Sequence, residues 1–156
     1  MIEILMVDDH AIFRSGMRRL LSDEPDMRIV AEAANGQEAI ECLRRRSYGL
    51  VLLDINMSGR SGLDTLRRIR LEWPAQAVIL LSMYPEAQYA PIALQLGARG
   101  YLSKDRDATE LLAAIRIAAS GGYYLPPGMA QALSSLDLIT LICHWKGTPV
   151  WLAWLA

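Results

Sequence analysis

Leu50-Val51-Leu52-Leu53-Asp54-Ile55-Asn56-Met57 runs four consecutive apolar residues straight into an aspartate. A strand with one wet face alternates apolar and polar side chains, and this run does not alternate. It therefore reads as a strand covered on both faces, the habit of parallel sheets. Outward from it the same grammar repeats. Ile2 to Val7 is an apolar run ending in Asp8-Asp9, and Met27 to Ala33 is a second strand. Ala77 to Leu81 is a fourth, ending in Ser82, and Gly100 to Leu102 is a short fifth.

Helical patterns fill the intervals. His10 to Leu21 carries Ile12, Phe13, Met17, Leu20 and Leu21 at helical spacing. Asn35 opens the next helix as N-cap with Glu38 three residues on, close to a capping box. That helix is expected to bury Ala39, Ile40 and Leu43 and to expose Arg44 to Arg46. A third helix spans about Ser61 to Glu72 and stops before Pro74. A weaker one spans Glu86 to Leu96 with Gly97 as C-cap. Asp107 and Glu110 cap a last helix expected to bury Leu111, Leu112, Ile115 and Ala119, ended by Gly121-Gly122. Five strands, each followed by a helix, predict an α/β fold: a doubly wound (βα)5 parallel sheet with helices on both faces.

The bulk numbers agree with one domain plus a short appendage. The chain has 156 residues, 53% hydrophobic and 21% charged, with a formal net charge of −1. There is no global basic field for nucleic acid or an anionic membrane. Cys42 and Cys143 are far apart and show neither metal-ligand spacing nor a disulfide framework, which suits a reducing cytosol. Met1 to Val7 has no basic leader and reads as a strand, not a signal peptide.

In open parallel sheets ligands bind beyond the carboxyl ends of the strands. Those ends here carry Asp8 and Asp9 (first strand), Asp54 and Asn56 (third), Ser82 (fourth) and Lys104 (after the fifth). Singly, each has a plain structural reading: a turn or cap aspartate, a loop serine, a surface lysine. Jointly they place three carboxylates, a hydroxyl and an ammonium on one edge. Crowded carboxylates repel, and a divalent cation with hard oxygen preference, Mg2+ or Mn2+, is the ready remedy. An aspartate there can act as nucleophile toward a phosphoryl donor.

The segments VDDH (Val7 to His10), LLDINM (Leu52 to Met57), LLS (Leu80 to Ser82) and GYLSKD (Gly100 to Asp105) resemble the signature blocks of bacterial response-regulator receiver domains. GARGYLSKD, the opening DDH and the GGYYLPP ending are similar to the NarL/FixJ (LuxR-type) branch. The resemblance implies a flavodoxin-like receiver fold with strand order 2-1-3-4-5. It implies Asp54 as phosphoacceptor. Asp9 would then ligate the metal directly, Asp8 mainly through water, and Asn56 through its backbone carbonyl. Lys104 and Ser82 would meet the phosphoryl oxygens, and Ser82 and Tyr101 would form the switch pair. Ser58 departs from the pattern, because receivers commonly have proline there; proline fixes its own backbone and restricts its neighbour, so the loop after Asp54 is expected to be looser.

The implied partner is a sensor histidine kinase, and the setting is the bacterial cytoplasm. The receiver would catalyse only its own phosphorylation and dephosphorylation and then shift between two states. The expected organisation is a receiver over 1–122, a linker over 123–135 and an atypical apolar tail over 136–156. The tail holds Trp145, Trp151 and Trp154 but a single basic residue, Lys146. It reads as a truncation or frameshift remnant, or as a packing segment. No helix-turn-helix is legible in it, so the chain as it stands is expected not to bind DNA, although full-length relatives do. His144, Lys146, Gly147 and Pro149 interrupt any membrane span. A homodimer is expected, through the first and fifth helices as in the branch it resembles, with the tail's apolar residues contributing. Two other readings compete. One is a stand-alone receiver signalling by protein contact. The other is a haloacid-dehalogenase-type phosphatase; that family's second catalytic aspartate would fall on Asn56, which cannot donate a proton as a general acid.

Overall fold

The computed structural model describes residues 1–57, 61–83 and 86–125, with backbone alone for 86–88. Ser58, residues 126–135 of the expected linker and the 136–156 tail lie outside the described residues. The order of elements is β1(Ile2–Val7), α1(Ala11–Ser22), β2(Met27–Ala33), α2(Gly36–Arg45), β3(Leu50–Asp54), α3(Gly62–Glu72), β4(Val78–Ser82), α4(Glu86–Gln95), β5(Gly100–Ser103) and α5(Ala108–Ala119). The five strands form one sheet in the order β2-β1-β3-β4-β5, every pair parallel. This is the flavodoxin-like receiver fold.

Every residue of β3 and β4 is buried, as the unbroken apolar runs predict. Successive strand side chains point to opposite faces, and the core divides accordingly. Ile4, Met6, Leu50, Leu52, Ile79, Leu81 and Leu102 pack with Met17 and Leu21 of α1 and with Leu111, Ala114, Ile115 and Ala118 of α5. Leu5, Val7, Val51, Leu53, Val78, Leu80 and Tyr101 face the other way, onto α2, α3 and α4. Full burial of one such side chain stabilises by about 1.5–3 kcal/mol.

Local signals set the helix ends. Asn35 Oδ1 accepts the Glu38 backbone N–H at 2.9 Å, while the Glu38 carboxylate accepts from Ala34 N at 2.7 Å. The capping box is thus reciprocal but reaches one residue further back than its usual form. Ser61 and Asp107 cap α3 and α5 through the N–H groups of Leu63 and Thr109. Gly97 ends the α4 segment with φ +95°, a backbone region that glycine enters without a Cβ penalty. Pro91 lies inside α4 and removes one backbone donor there.

One expectation about a helix face is corrected. In α5 the buried set is Leu111, Ala114, Ile115 and Ala118, while Leu112 and Ala119 are half-buried. The small alanines pack against the sheet, and an apolar count underweights them. In α1, Ile12 is 90% exposed and Phe13 and Leu20 are half-buried, because α1 covers the sheet mainly with Met17 and Leu21. After α5 the chain returns to the sheet: Tyr124 N–H donates to Arg99 O at 2.8 Å, and Tyr123 is buried.

Candidate functional site

The carboxyl ends of β1, β3, β4 and β5 come together as expected. Asp8 follows β1, its backbone N–H donating to Ala33 O at 3.0 Å, and its side chain has no solvent exposure. The two Asp8 oxygens are divided in use. Oδ2 lies 2.7 Å from Lys104 Nζ. Oδ1 accepts the His10 backbone N–H at 2.8 Å and lies 3.0 Å from His10 Nδ1. Arg14 donates to the Asp8 carbonyl oxygen and also pairs with Glu32, fastening the start of α1 to the end of β1.

Asp54 closes β3 and is likewise fully buried. Its Oδ1 accepts the Asn56 N–H at 3.0 Å. Its Oδ2 is 3.3 Å from Lys104 Nζ, within ion-pair distance but without hydrogen-bond alignment, so this buried oxygen has no hydrogen-bond partner. Burial pushes the Asp54 carboxyl above the usual aspartate range; the Asn56 N–H opposes that, the charge of Asp8 adds to it, and Lys104 opposes it. Asp9 is more open, its side chain 23% exposed, with Oδ1 3.1 Å from His10 Nδ1.

The positions of these groups follow from the backbone. The Ile55 N–H continues the β3–β4 ladder to Leu81 O at 2.9 Å, holding Asp54 at the sheet edge. Gly62 begins α3 directly beneath: a Cβ there would stand 2.3 Å from Asp54 O and 2.6 Å from Ile55 Cα, so only glycine fits this close approach. Ser82 is fully buried and its Oγ donates to Asn56 Oδ1 at 3.2 Å. Lys104 N–H donates to Ser82 O at 2.7 Å, and its ammonium sits 4.4 Å from the centroid of the Phe13 ring. Far from the surface lysine it reads as when taken singly, Lys104 is pinned between Asp8 and Asp54 with its side chain only 6% exposed. Tyr101 is wholly buried in the α2–α4 half of the core.

Asp8, Asp9, Asp54, Asn56, Ser82 and Lys104 thus form one cluster, with Tyr101 in the core beneath. Sequence reasoning missed two members. His10 read only as the start of a helix; the signal was available in an aspartate followed two residues on by histidine, because an Asp side chain often accepts from the N–H two residues later. Phe13 read as helix core, and nothing in its spacing marked it as a platform for Lys104.

The donor set suits a hard divalent cation. Ligand atoms of Asp8, Asp9, His10 and Asp54 all lie within 4.8 Å of one another, and the unsatisfied Asp54 Oδ2 faces this cluster. Such a cation would supply positive charge to carboxylates and phosphoryl oxygens alike.

The response regulator receiver domain model matches residues 4–116, and the chain belongs to that family: it carries the receiver domain of a two-component response regulator, a phospho-accepting signalling module and not a conventional enzyme. Its relatives place it in the NarL/LuxR group. The transcriptional regulatory protein UhpA of Escherichia coli (strain K12) is 41% identical over 135 residues, covering 86% of this chain and 67% of UhpA. The transcriptional regulatory protein DegU of Brevibacillus brevis is 35% identical over 132 residues. The chain spans 56% of the length of DegU and 61% of the nitrate/nitrite response regulator NarL of E. coli K12. Among solved structures, a LuxR-family two-component response regulator from Aurantimonas sp. SI85-9A1 matches with TM-score 0.80 and 33% identity, covering 88% of this chain and 98% of that one.

Proposed function

We propose that Asp54 takes a phosphoryl group from a phosphohistidine of a sensor histidine kinase. An Asp54 carboxylate oxygen attacks phosphorus, the P–N bond breaks, and the histidine keeps the electron pair. The observation that carries this reading is the buried, unsatisfied Asp54 Oδ2 beside Lys104 at a sheet edge crowded with carboxylates. Phosphoryl transfer asks for positioning and charge neutralisation more than for covalent machinery. Asp8, Asp9, Asp54 and the Asn56 backbone carbonyl are the groups that would hold Mg2+ or Mn2+, and that cation would neutralise the transferring oxygens. Lys104 would exchange part of its contact with Asp8 and Asp54 for a phosphoryl oxygen. Ser82 would leave Asn56 for another, and Tyr101 would follow into the space behind it, biasing a two-state face at α4 and β5.

For the whole protein we propose a transcriptional output, which the names of the UhpA and DegU relatives support. Pairing through α1 and α5 is part of the same reading. Its support is Ile12, 90% exposed on α1, beside a cavity of about 360 Å³ lined by Phe13, Met17, Leu20, Leu102 and Leu111. Among the described residues no helix is long and apolar enough to cross a membrane. The test of phosphoacceptance is incubation with acetyl phosphate, with and without Mg2+, read by intact-mass spectrometry. One added phosphoryl group that needs Mg2+ and Asp54 is the expected result; addition elsewhere overturns the assignment.

A further inference from the structure

His10 is held at the carboxylate cluster more tightly than a helix-start residue needs to be. Its backbone N–H and its ring Nδ1 both address the same oxygen, Asp8 Oδ1, at 2.8 and 3.0 Å. The ring nitrogen is also 3.1 Å from Asp9 Oδ1 and 3.9 Å from Asp54 Oδ2. One nitrogen therefore faces one oxygen from each of three carboxylates. The ring contributes nothing to capping α1, whose N-terminus has no side-chain cap bond. Its side chain is 61% exposed, so packing does not force the ring inward.

We propose that His10 Nδ1 is a metal ligand of this site, and that the site consequently favours borderline transition ions such as Zn2+ over Mg2+. The inference rests on the metal-binding reading above and refines which ions that site accepts. Three carboxylate oxygens alone form a hard set suited to Mg2+ or Mn2+; an imidazole nitrogen shifts preference toward Zn2+, Co2+ and Ni2+. The spacing suits that. Ligand atoms around a tetrahedral Zn2+ sit roughly 3.4 Å apart for bonds of about 2.0–2.1 Å. Here the candidate atoms lie within 4.8 Å of one another, and His10 Nδ1 is 3.0 to 3.9 Å from the three oxygens. Lys104 holds Asp8 Oδ2 and leaves Asp8 Oδ1 to the cluster; it also stands 3.3 Å from Asp54 Oδ2, an oxygen the cation and the ammonium would share. Nδ1 would bind through its lone pair, in the neutral tautomer that carries the ring's hydrogen on Nε2.

The chain contains two histidines, His10 and His144, which permits a direct test on the full chain labelled with 15N-histidine. Saturating Zn2+ should move the Nδ1 resonance that His10→Gln removes, and Mg2+ should leave it in place. In parallel, Zn2+ displacement of bound Mn2+ is followed by electron paramagnetic resonance. His10→Gln, which keeps an oxygen donor at an exposed position, should weaken Zn2+ by at least about tenfold, the loss expected even of groups that only support a ligand. Mg2+ affinity should stay within about twofold, since hard cations gain little from imidazole. If Mn2+ binding requires Asp9 but neither the Nδ1 resonance nor the Zn2+ midpoint depends on His10, this inference is wrong and the site stands. If Asp9→Asn leaves Mn2+ binding unchanged, or no Mn2+ binds at all, the metal reading and the inference fall together.

Discussion

The interior of the sheet and its carboxyl edge are made from the same strands but obey opposite rules. Inside, Leu52, Leu53, Ile79 and Leu80 are wholly buried, and each meets an apolar partner. At the edge, one residue past the last of these on β3, Asp54 is just as buried and carries charge. Two buried carboxylates, Asp8 and Asp54, share one ammonium from Lys104. The interior is arranged for stability. The edge holds charge out of water without full compensation, which is what the proposed nucleophile and metal ligands require.

The largest break in this contrast comes from Lys104→Met. Removing one partner of a buried ion pair costs about 3–5 kcal/mol. Urea unfolding in EDTA should show a loss of that order, and Mg2+ should restore much of it if the cation takes over the neutralisation. A loss unaffected by Mg2+ would mean the lysine matters for packing instead. In the interior, Leu52→Ala should cost about 2–5 kcal/mol with no response to Mg2+. The two variants together separate edge from interior.

Asp54→Asn sharpens the comparison in the opposite direction: the metal-free protein should become more stable at neutral pH. Burial raises the Asp54 carboxyl above its unfolded value, so ionisation is disfavoured in the folded state. That penalty is absent below the ordinary aspartate range, where both states are protonated. It grows as pH rises toward the folded value and is complete above it. The gain in thermal midpoint from asparagine should therefore be present at neutral pH and vanish in acid; a gain equal at both would contradict the cause given. The smallest effect is at a place that belongs to neither region. Asn35→Ala removes the N-cap of α2 and should cost about 1 kcal/mol in the same denaturation assay.

The contrast also explains what was legible in the sequence. Unbroken apolar runs ending in polar residues identified the strands and where each one stops. Parallel topology then carried Asp8, Asp9, Asp54, Ser82 and Lys104 to one edge without knowledge of a single contact. Side-chain direction was not legible. His10 joins the cluster because its N–H and its ring Nδ1 both meet Asp8 Oδ1; the aspartate two residues before it signals the N–H bond but not the direction of the ring. Asn56 was noticed for its backbone carbonyl, yet its side chain holds Ser82. Lys104 taken singly reads as a surface lysine; its confinement needs both carboxylates and the Phe13 ring at once. In α5 the buried face falls on Ala114 and Ala118, since tight helix-on-sheet packing selects small residues that carry little hydropathy signal.

The central claim is that the edge spends its electrostatic strain on one reaction at one residue. The most direct measurement is intact-mass spectrometry of the full chain after exposure to acetyl phosphate in Mg2+, with peptide mapping of the acid-stable borohydride-reduced product. A single phosphoryl addition is predicted, lost in EDTA and lost in Asp54→Asn, with the reduced residue mapping to position 54. Equal incorporation in Asp54→Asn, or mapping to Asp8 or Asp9, would contradict the account.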